Sequence, residues 1–542
     1  MKQSIFLGLM AFLYMLSPSC KQEIEKPKTQ LDKKMTDAGA ITESSLQCNA
    51  QPEEIDYSIY RMSSDGTRIG DVAPLYDASS GRFLIYYLKD IWNDATHQRH
   101  PIYAFETDNF YSYTETGEII SSASQNCHQD FAVGAGSVIK NGSTYYCFYT
   151  GHNPNSAPCG TEREGVLLAT STNPTANFVK QTGFTTINVP KGEGFDENDN
   201  FRDPYVFSDN GTYYMLISAR KNIAGTMKGV IVKYTSSNLS NWTYGGVLYD
   251  GGNDNYWMME TAEIFKMGAY YYLLYSDQLN KYVYYRKSAS LNGPWSKPAG
   301  VDRFEGKGIF AAKTALDQYG DRYLFGWNNI LSNQVDSGAW VWGGNLIVHK
   351  IYPLSNGDLA VTIPHTVKNY LETNQHILVK NSHWGNVTNT VPNTHSYRLV
   401  SPADLDVANV IFDPIDRERY KISATVSFTS SNKDFGFMIG ACDGYNDFYS
   451  LRFVPSQNRF SFDKVNRANL TPGTLATNDV PIELVPNTEY RVDVVVENSV
   501  VVVYINDRVA LSNRIYKGTN TNWGIFADYG DATFSNISVT YP

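Results

Sequence analysis

Gly268-Ala269-Tyr270-Tyr271-Tyr272-Leu273-Leu274-Tyr275 decides how the chain is read. A glycine suited to a tight turn precedes an apolar, aromatic run of strand length. The arrangement recurs as Gly81-Arg82-Phe83-Leu84-Ile85-Tyr86-Tyr87, Gly142-Ser143-Thr144-Tyr145-Tyr146-Cys147-Phe148-Tyr149, Gly211-Thr212-Tyr213-Tyr214-Met215-Leu216-Ile217 and Gly320-Asp321-Arg322-Tyr323-Leu324-Phe325-Gly326-Trp327. Working outward, another apolar strand candidate lies roughly eight to fifteen residues before each turn. These are Asp71-Val72-Ala73-Pro74-Leu75-Tyr76, Gly136-Ser137-Val138-Ile139, Asp203-Pro204-Tyr205-Val206-Phe207, Glu260-Thr261-Ala262-Glu263-Ile264-Phe265 and Phe310-Ala311-Ala312-Lys313-Thr314-Ala315. In several units a third strand follows, as at 229–234 before Asn241-Trp242 and at 282–286 before Pro294-Trp295. Units of roughly 50–70 residues holding three or four strands suit propeller blades. The expectation is an all-β chain with a five-bladed β-propeller over 55–365, its first strands lining a central funnel.

From about residue 366 the pattern changes. Tyr420-Lys421-Ile422-Ser423-Ala424-Thr425-Val426-Ser427-Phe428 and Tyr490-Arg491-Val492-Asp493-Val494-Val495-Val496 alternate cleanly. The second run turns at Glu497-Asn498-Ser499 into 500–505, then at Asn506-Asp507 into Val509-Ala510-Leu511. Antiparallel meanders of this kind predict a C-terminal β-sandwich over 366–542.

The whole chain has 542 residues, 42% hydrophobic and 18% charged, with 39 Tyr, 26 Phe and 9 Trp, which is the composition of a core-forming protein rather than a disordered one. A net charge of -10 disfavours a phosphate backbone as partner, so nucleic acid is not expected. After residue 20 no apolar stretch is long enough to span a bilayer. The first 19 residues, a short charged start and an apolar core, read as a secretory leader. Leu16-Ser17-Pro18-Ser19-Cys20 resembles a bacterial lipobox, which makes Cys20 the expected lipidation site. Residues 20–54 are charged, contain proline and lack periodicity, as a tether would. The expected location is therefore the cell envelope, lipid-anchored at the outer membrane or facing the periplasm. Of the remaining cysteines none forms a C-x-x-C pair, and one bridge among Cys127, Cys147 and Cys159 is possible in an oxidising compartment.

No phosphate-binding loop, zinc-protease helix motif or nucleophile elbow occurs. The loop Asp196-Glu197-Asn198-Asp199-Asn200 begins like a calcium loop. Phe201 and Phe207 stand where such a loop needs Gly and Glu, so no metal and no cofactor is expected. What remains is three acids at the starts of inner strands: Asp71, Asp203 and Glu260. A carboxylate followed directly by apolar strand residues is costly unless it faces water. Three of them meeting on one axis suit glycoside hydrolysis, in which one carboxyl attacks and another protonates the leaving oxygen.

Several strings extend this to a family. Arg202-Asp203-Pro204 resembles the Arg-Asp-Pro signature of glycoside hydrolase family 32, the fructan hydrolases (levanase, inulinase, invertase). Met259-Glu260-Thr261-Ala262-Glu263-Ile264-Phe265 lies where that family carries Glu-Cys-Pro-Asp-Leu/Phe-Phe. Gly70-Asp71-Val72-Ala73-Pro74 takes the place of its Asn-Asp-Pro-Asn-Gly motif, and Gly134-Ala135-Gly136-Ser137 resembles its Phe-Ser-Gly-Ser. The similarity spans about 55–542 and looks like a divergent branch of Bacteroidetes-type lipoproteins.

The resemblance implies Asp71 as nucleophile, Glu260 as acid/base, Asp203 as transition-state stabiliser and Arg202 as a brace for the acid/base. It implies hydrolysis of β-fructofuranosyl linkages in fructans or fructo-oligosaccharides with retention. Ser137, Asp130, Glu263 and His100 are weaker candidates for binding sugar hydroxyls. Trp92, Trp257, Trp327 and Trp342 could stack on sugar, with packing between blades the plainer role for most. The first motif keeps only its Asp, and Thr261-Ala262-Glu263 replaces Cys-Pro-Asp. Two alternatives therefore stay open: an inverting arabinosidase or xylosidase of the family 43 type, and a non-catalytic surface glycan-binding protein. Levan, inulin and sucrose-type substrates are not separable by sequence, nor is the oligomeric state.

Overall fold

Strand formation follows the alternation and the turns, and it builds five successive antiparallel meanders. In the computed structural model, blade one is β1 (Ile69–Asp77), β2 (Arg82–Lys89), β3 (Ile102–Thr107) and β4 (Thr114–Glu115). Blade two is β5 (Ala132–Asn141), β6 (Thr144–His152), β7 (Glu164–Ser171) and β8 (Val179–Lys180). Blade three is β9 (Phe201–Asp209), β10 (Thr212–Ile223), β11 (Thr226–Ser236) and β12 (Thr243–Tyr249). Blade four is β13 (Met259–Met267), β14 (Tyr270–Asp277) and β15 (Val283–Ser288). Blade five is β16 (Phe310–Leu316), β17 (Arg322–Leu331), β18 (Trp340–Pro353) and β19 (Leu359–Thr362). The structure describes residues 57–92, 98–401, 407–430, 434–442, 447–464, 478–517, 521–528 and 530–542. The expected leader, Cys20 and the tether lie outside the described residues.

The turn glycines Gly81, Gly142, Gly211, Gly268 and Gly320 all adopt positive φ, which explains why glycine opens each repeat. The first strands pack in a closed cycle: β1 against β5, β5 against β9, β9 against β13, β13 against β16 and β16 against β1. Pairing of Ile69 with Gly344 ties blade five to blade one.

All five inner strands break register near their starts. The breaks fall between Gly70 and Ala73, Gly134 and Gly136, Arg202 and Tyr205, Glu260 and Glu263, and Phe310 and Lys313. Four of these bulges hold a non-glycine residue at positive φ: Asp71 at 40°, Asp203 at 62°, Thr261 at 52° and Ala311 at 49°. A bulge re-aims a side chain, and backbone strain of this kind is retained where the surroundings over-determine it.

The C-terminal module is two antiparallel sheets. One runs, in spatial order, Asn386–Asn389, Tyr397–Val400, Asp531–Tyr541, Arg419–Phe428, Tyr490–Glu497, Val500–Ile505 and Val509–Arg514. The other runs Lys380–Trp384, Val407–Phe412, Asn522–Asp528, Phe435–Cys442, Asp447–Val454, Arg459–Lys464 and Asn478–Pro481. Their inner faces enclose a core that includes Phe437, Val494, Val503 and Phe534. The opposite face of the first sheet presents Val495, Val500, Val502 and Tyr504 to the propeller core.

Polar contacts fix this junction. Glu497, fully buried, accepts from the backbone N–H groups of Ser58, Ile59 and Tyr60. His349 bridges Glu305 and Tyr504 at 2.9 Å each. Propeller and sandwich thus belong to one unit, and a hydrogen-bonded buried charge costs far less than a bare one. A disulfide joins Cys127 to Cys159, while Cys147 is buried and unpaired.

Candidate active site

One end of the propeller axis opens into a cavity of about 370 Å³. Asp71, Asp203, Glu260, Arg202 and His100, all singled out from the sequence, line it. Asp71 and Asp203 occupy the same bulge position of blades one and three. Glu260 stands one residue before the corresponding Thr261, in register with Gly70 and Arg202. The three acids therefore converge without being strict repeat equivalents.

Each acid is held differently. Asp71 is half-buried with an edge on the cavity, and Oδ1 accepts from the Trp327 indole at 3.2 Å. Gly70 beside it has no side chain because a Cβ there would meet the Trp342 ring at 2.3 Å. Asp203 is buried; its Oδ2 accepts from the Thr261 N–H at 2.9 Å, and its own N–H donates to Thr150 Oγ1 at 2.9 Å. Glu260 accepts from Arg202 at 2.7 Å through Oε1. The same guanidinium reaches Glu164 at 3.2 Å, and Glu164 also accepts from the Phe201 N–H at 2.7 Å.

Burial and mutual repulsion set the protonation of this cluster. Burial, then the charges of Asp203 and Glu260, push Asp71 up to about 7 against the opposing pull of Trp327 and Lys313. Burial raises Asp203 to about 6, with Glu260 adding to it and Arg202 opposing. Burial works against the Glu164 charge as well, but Arg202 and His152 outweigh it and hold Glu164 at about 2. Glu164 is thus an anion that anchors Arg202, while Asp71 and Asp203 keep their protons to higher pH than ordinary carboxyls do.

His100 borders the cavity at a φ of 39°, its ring 4.1 Å from that of Trp342. Burial lowers its pKa to about 4 despite Asp90 nearby, so the ring is neutral at pH 7. The other sequence candidates lie outside the cavity. Ser137 accepts from the Val206 N–H at 2.9 Å and ties blade two to blade three. Asp130 accepts from the Tyr149 hydroxyl at 3.1 Å and pairs with Lys180 at 2.5 Å. Glu263, with no exposed surface, takes both the Thr314 N–H (2.6 Å) and its hydroxyl (2.5 Å). Ser137 and Glu263 tie neighbouring blades together, Asp130 braces blade two internally, and none of the three lines the cavity.

Of the tryptophans, Trp342 lines the cavity together with Trp340, which sequence reasoning passed over. Trp327 is fully buried yet donates to Asp71, so packing and site are served by one ring. Trp257 lies under Arg220, and Trp92 is largely exposed. Glu164, His152 and Thr150 were also missed. Glu164 and His152 flank a charged, turn-rich stretch that reads as an ordinary surface loop, and only the fold carries them to Arg202. His152, Glu164 and Asp199 could in principle ligate a metal. Glu164 is already committed to Arg202, and Arg163 lies 3.4 Å from Asp199, so cations of the chain itself neutralise the group.

The fold and its carboxylate cavity define a propeller-borne glycosidase type of site, and comparison with known proteins agrees. The glycosyl hydrolases family 32 N-terminal domain matches residues 74–356, and the GH32, BT1760-like, C-terminal domain matches 357–539. The chain belongs to glycosyl hydrolase family 32. The first match begins just beyond Asp71, so it is the geometry that brings Asp71 to the site. A sucrose-6-phosphate hydrolase of Escherichia coli is 28% identical over 257 residues, 45% of this chain and 52% of that one. A raffinose invertase of the same species is 26% identical over 273 residues, 46% and 54% respectively. The chain thus spans about half the length of these curated relatives. Among solved structures, fructan 1-exohydrolase IIa of Cichorium intybus superposes with a TM-score of 0.66 at 13% identity, covering 91% of this chain and 97% of that one. That likeness concerns the fold.

Proposed function

We propose that the protein hydrolyses β-fructofuranosyl linkages in fructans or fructo-oligosaccharides by double displacement with retention. The observation that carries this is the meeting of Asp71, Asp203 and Glu260 at one cavity in a family 32 chain. Asp71, as the carboxylate, attacks the anomeric carbon of the fructosyl unit. Glu260 gives its proton to the departing oxygen, so the C–O bond breaks as the ester to Asp71 forms. Water then loses a proton to Glu260 and attacks the same carbon, releasing fructose and restoring Asp71. Asp203, fixed by Thr261 and Thr150, accepts from fructosyl hydroxyls as the ring gains positive charge. Arg202 holds one oxygen of Glu260 and leaves the other for the leaving group.

Sucrose 6-phosphate and raffinose, for which two relatives are named, and the 1-kestose bound in a solved neighbour all carry a β-fructofuranosyl linkage. Family membership favours this reading over an inverting family 43 enzyme and over a silent glycan binder. Fructose release from sucrose, inulin and levan is the test. Wild type is expected to release fructose and Asp71→Asn to lose roughly 10³-fold or more of that rate. Binding without cleavage by both proteins would leave only a glycan-binding role.

We also propose that the protein sits in the cell envelope, tethered by a lipid on Cys20, because a lipobox-like string precedes a charged, proline-containing segment. In an expressing bacterium, wild type should partition with membranes and Cys20→Ala should not. Equal partitioning of the two would remove the lipid anchor from the account.

A further inference from the structure

Beneath the three acids lies a cation that neither the motifs nor the comparisons point to. Lys313 follows the bulge of β16, pairs with Phe325 across the blade and is only 1% exposed. Its ammonium donates to the Gly136 carbonyl at 2.7 Å, spanning from blade five to the bulge of blade two. That is its one hydrogen bond among the described residues, and no carboxylate there lies within ion-pair distance. A second cavity, about 240 Å³, opens on the far side and is lined by Lys313, Arg322 and Tyr205. The ammonium thus stands between two axial spaces, with the acids on one side.

A buried ammonium with one neutral acceptor is expensive in isolation: burial lowers the Lys313 pKa, and the surrounding acids work against that loss of charge. Its acceptor Gly136 lines a narrow gap together with Asp71 and Cys147, and the charges that act on the ammonium are those of Asp203 from β9, Asp71 from β1, Glu263 from β13 and Cys147 from β6. Arg322 from β17 adds a like charge beside Glu263. Glu263 is matched by Arg322 and Thr314, and the Cys147 thiol is pushed up to about 12 by burial, so it is neutral at working pH. Asp71 and Asp203 remain as the anions that Lys313 can serve.

We propose that Lys313 is a positioning residue: its ammonium, seated on the Gly136 carbonyl, keeps Asp71 and Asp203 available as anions at working pH. The inference rests on the reading of Asp71 as nucleophile. Two other described cations face the cavity acids: Arg202 is spent on Glu260 and Glu164, and Lys281, on the cavity wall, stands over the Phe310 and Trp340 rings. Lys313 approaches from below, where it cannot compete with sugar for the carboxylate oxygens.

Lys313→Met and Lys313→Gln separate charge from bracing, since glutamine can still donate to Gly136. Both should move the acid limb of the kcat/KM profile up by about one pH unit, a loss of about tenfold on that limb. In a second, activity-free readout, the melting gain from Asp71→Asn at pH 8 should be larger in the Lys313→Met background than in wild type. An unmoved acid limb with a normal profile for Lys313→Gln, or an Asp71→Asn gain independent of Lys313, would overturn the proposal. Inability of both lysine variants to fold, even combined with Asp71→Asn, would also overturn it by making Lys313 a structural brace. Should wild type release no fructose while the melting coupling persists, the hydrolase reading fails and the role of Lys313 stands.

Discussion

Glu260 and Glu263 stand three residues apart in β13, yet one borders the cavity and the other sits in the packed middle of the strand. Glu260 faces the cavity and meets one guanidinium. Glu263 faces the packed interior, where Thr314 satisfies it with two donors and Arg322 lies 3.9 Å away. The bulge between them makes the strand change course, so a simple alternation argument does not describe the pair. The difference teaches which acids can react. Asp71, Asp203 and Glu260 border the cavity and crowd one another with like charge. Glu263 is occupied by hydrogen bonds from Thr314 and belongs to the scaffold.

This contrast breaks first under substitution. Glu260→Gln should lower kcat on a natural fructoside by roughly 10³-fold while leaving the melting temperature near wild type. Glu263→Gln should do the reverse, costing several degrees of melting temperature through its disturbed Thr314 and Arg322 contacts but only a small factor in kcat. Paired kinetics and calorimetry check both, and equal kinetic losses would erase the distinction between the two acids.

A smaller effect concerns pH. Asp71 is raised from its ordinary value to about 7 and Asp203 to about 6, so the folded state holds protons that the unfolded chain releases. The stability this confers is complete below about pH 4 and disappears as pH rises through 6 to 7. Asp71→Asn should therefore melt higher than wild type at pH 8, with the gain shrinking toward zero near pH 4. A melting difference that is constant across that range would show that Asp71 is not held in a proton-retaining site.

Much of this was legible in the sequence because the signals were repeated. Five turn glycines, each needing positive φ, and five Tyr-rich strands mark the blades before any coordinates are known. Asp71, Asp203 and Glu260 stood out as acids where a strand should begin. What the one-dimensional pattern does not carry is convergence across blades. Glu164 anchors Arg202 across 38 positions of chain, and Trp327 reaches Asp71 across 256. Ser137 lies within the second inner strand and Asp130 just before it, but a backbone N–H occupies the one and a tyrosine hydroxyl and Lys180 the other. The bulges were invisible too, since a register shift depends on the partner strand as much as on the strand itself.

The account's central claim is a covalent step at Asp71, and it can be read directly. Glu260→Gln incubated with a fructoside carrying a good leaving group should form the ester but hydrolyse it slowly, because no base activates water. Mass spectrometry of the quenched, digested protein should then find a fructosyl group on the peptide containing Asp71. An adduct on Asp203 instead, or rapid turnover of the activated fructoside with none on either residue, would contradict the mechanism.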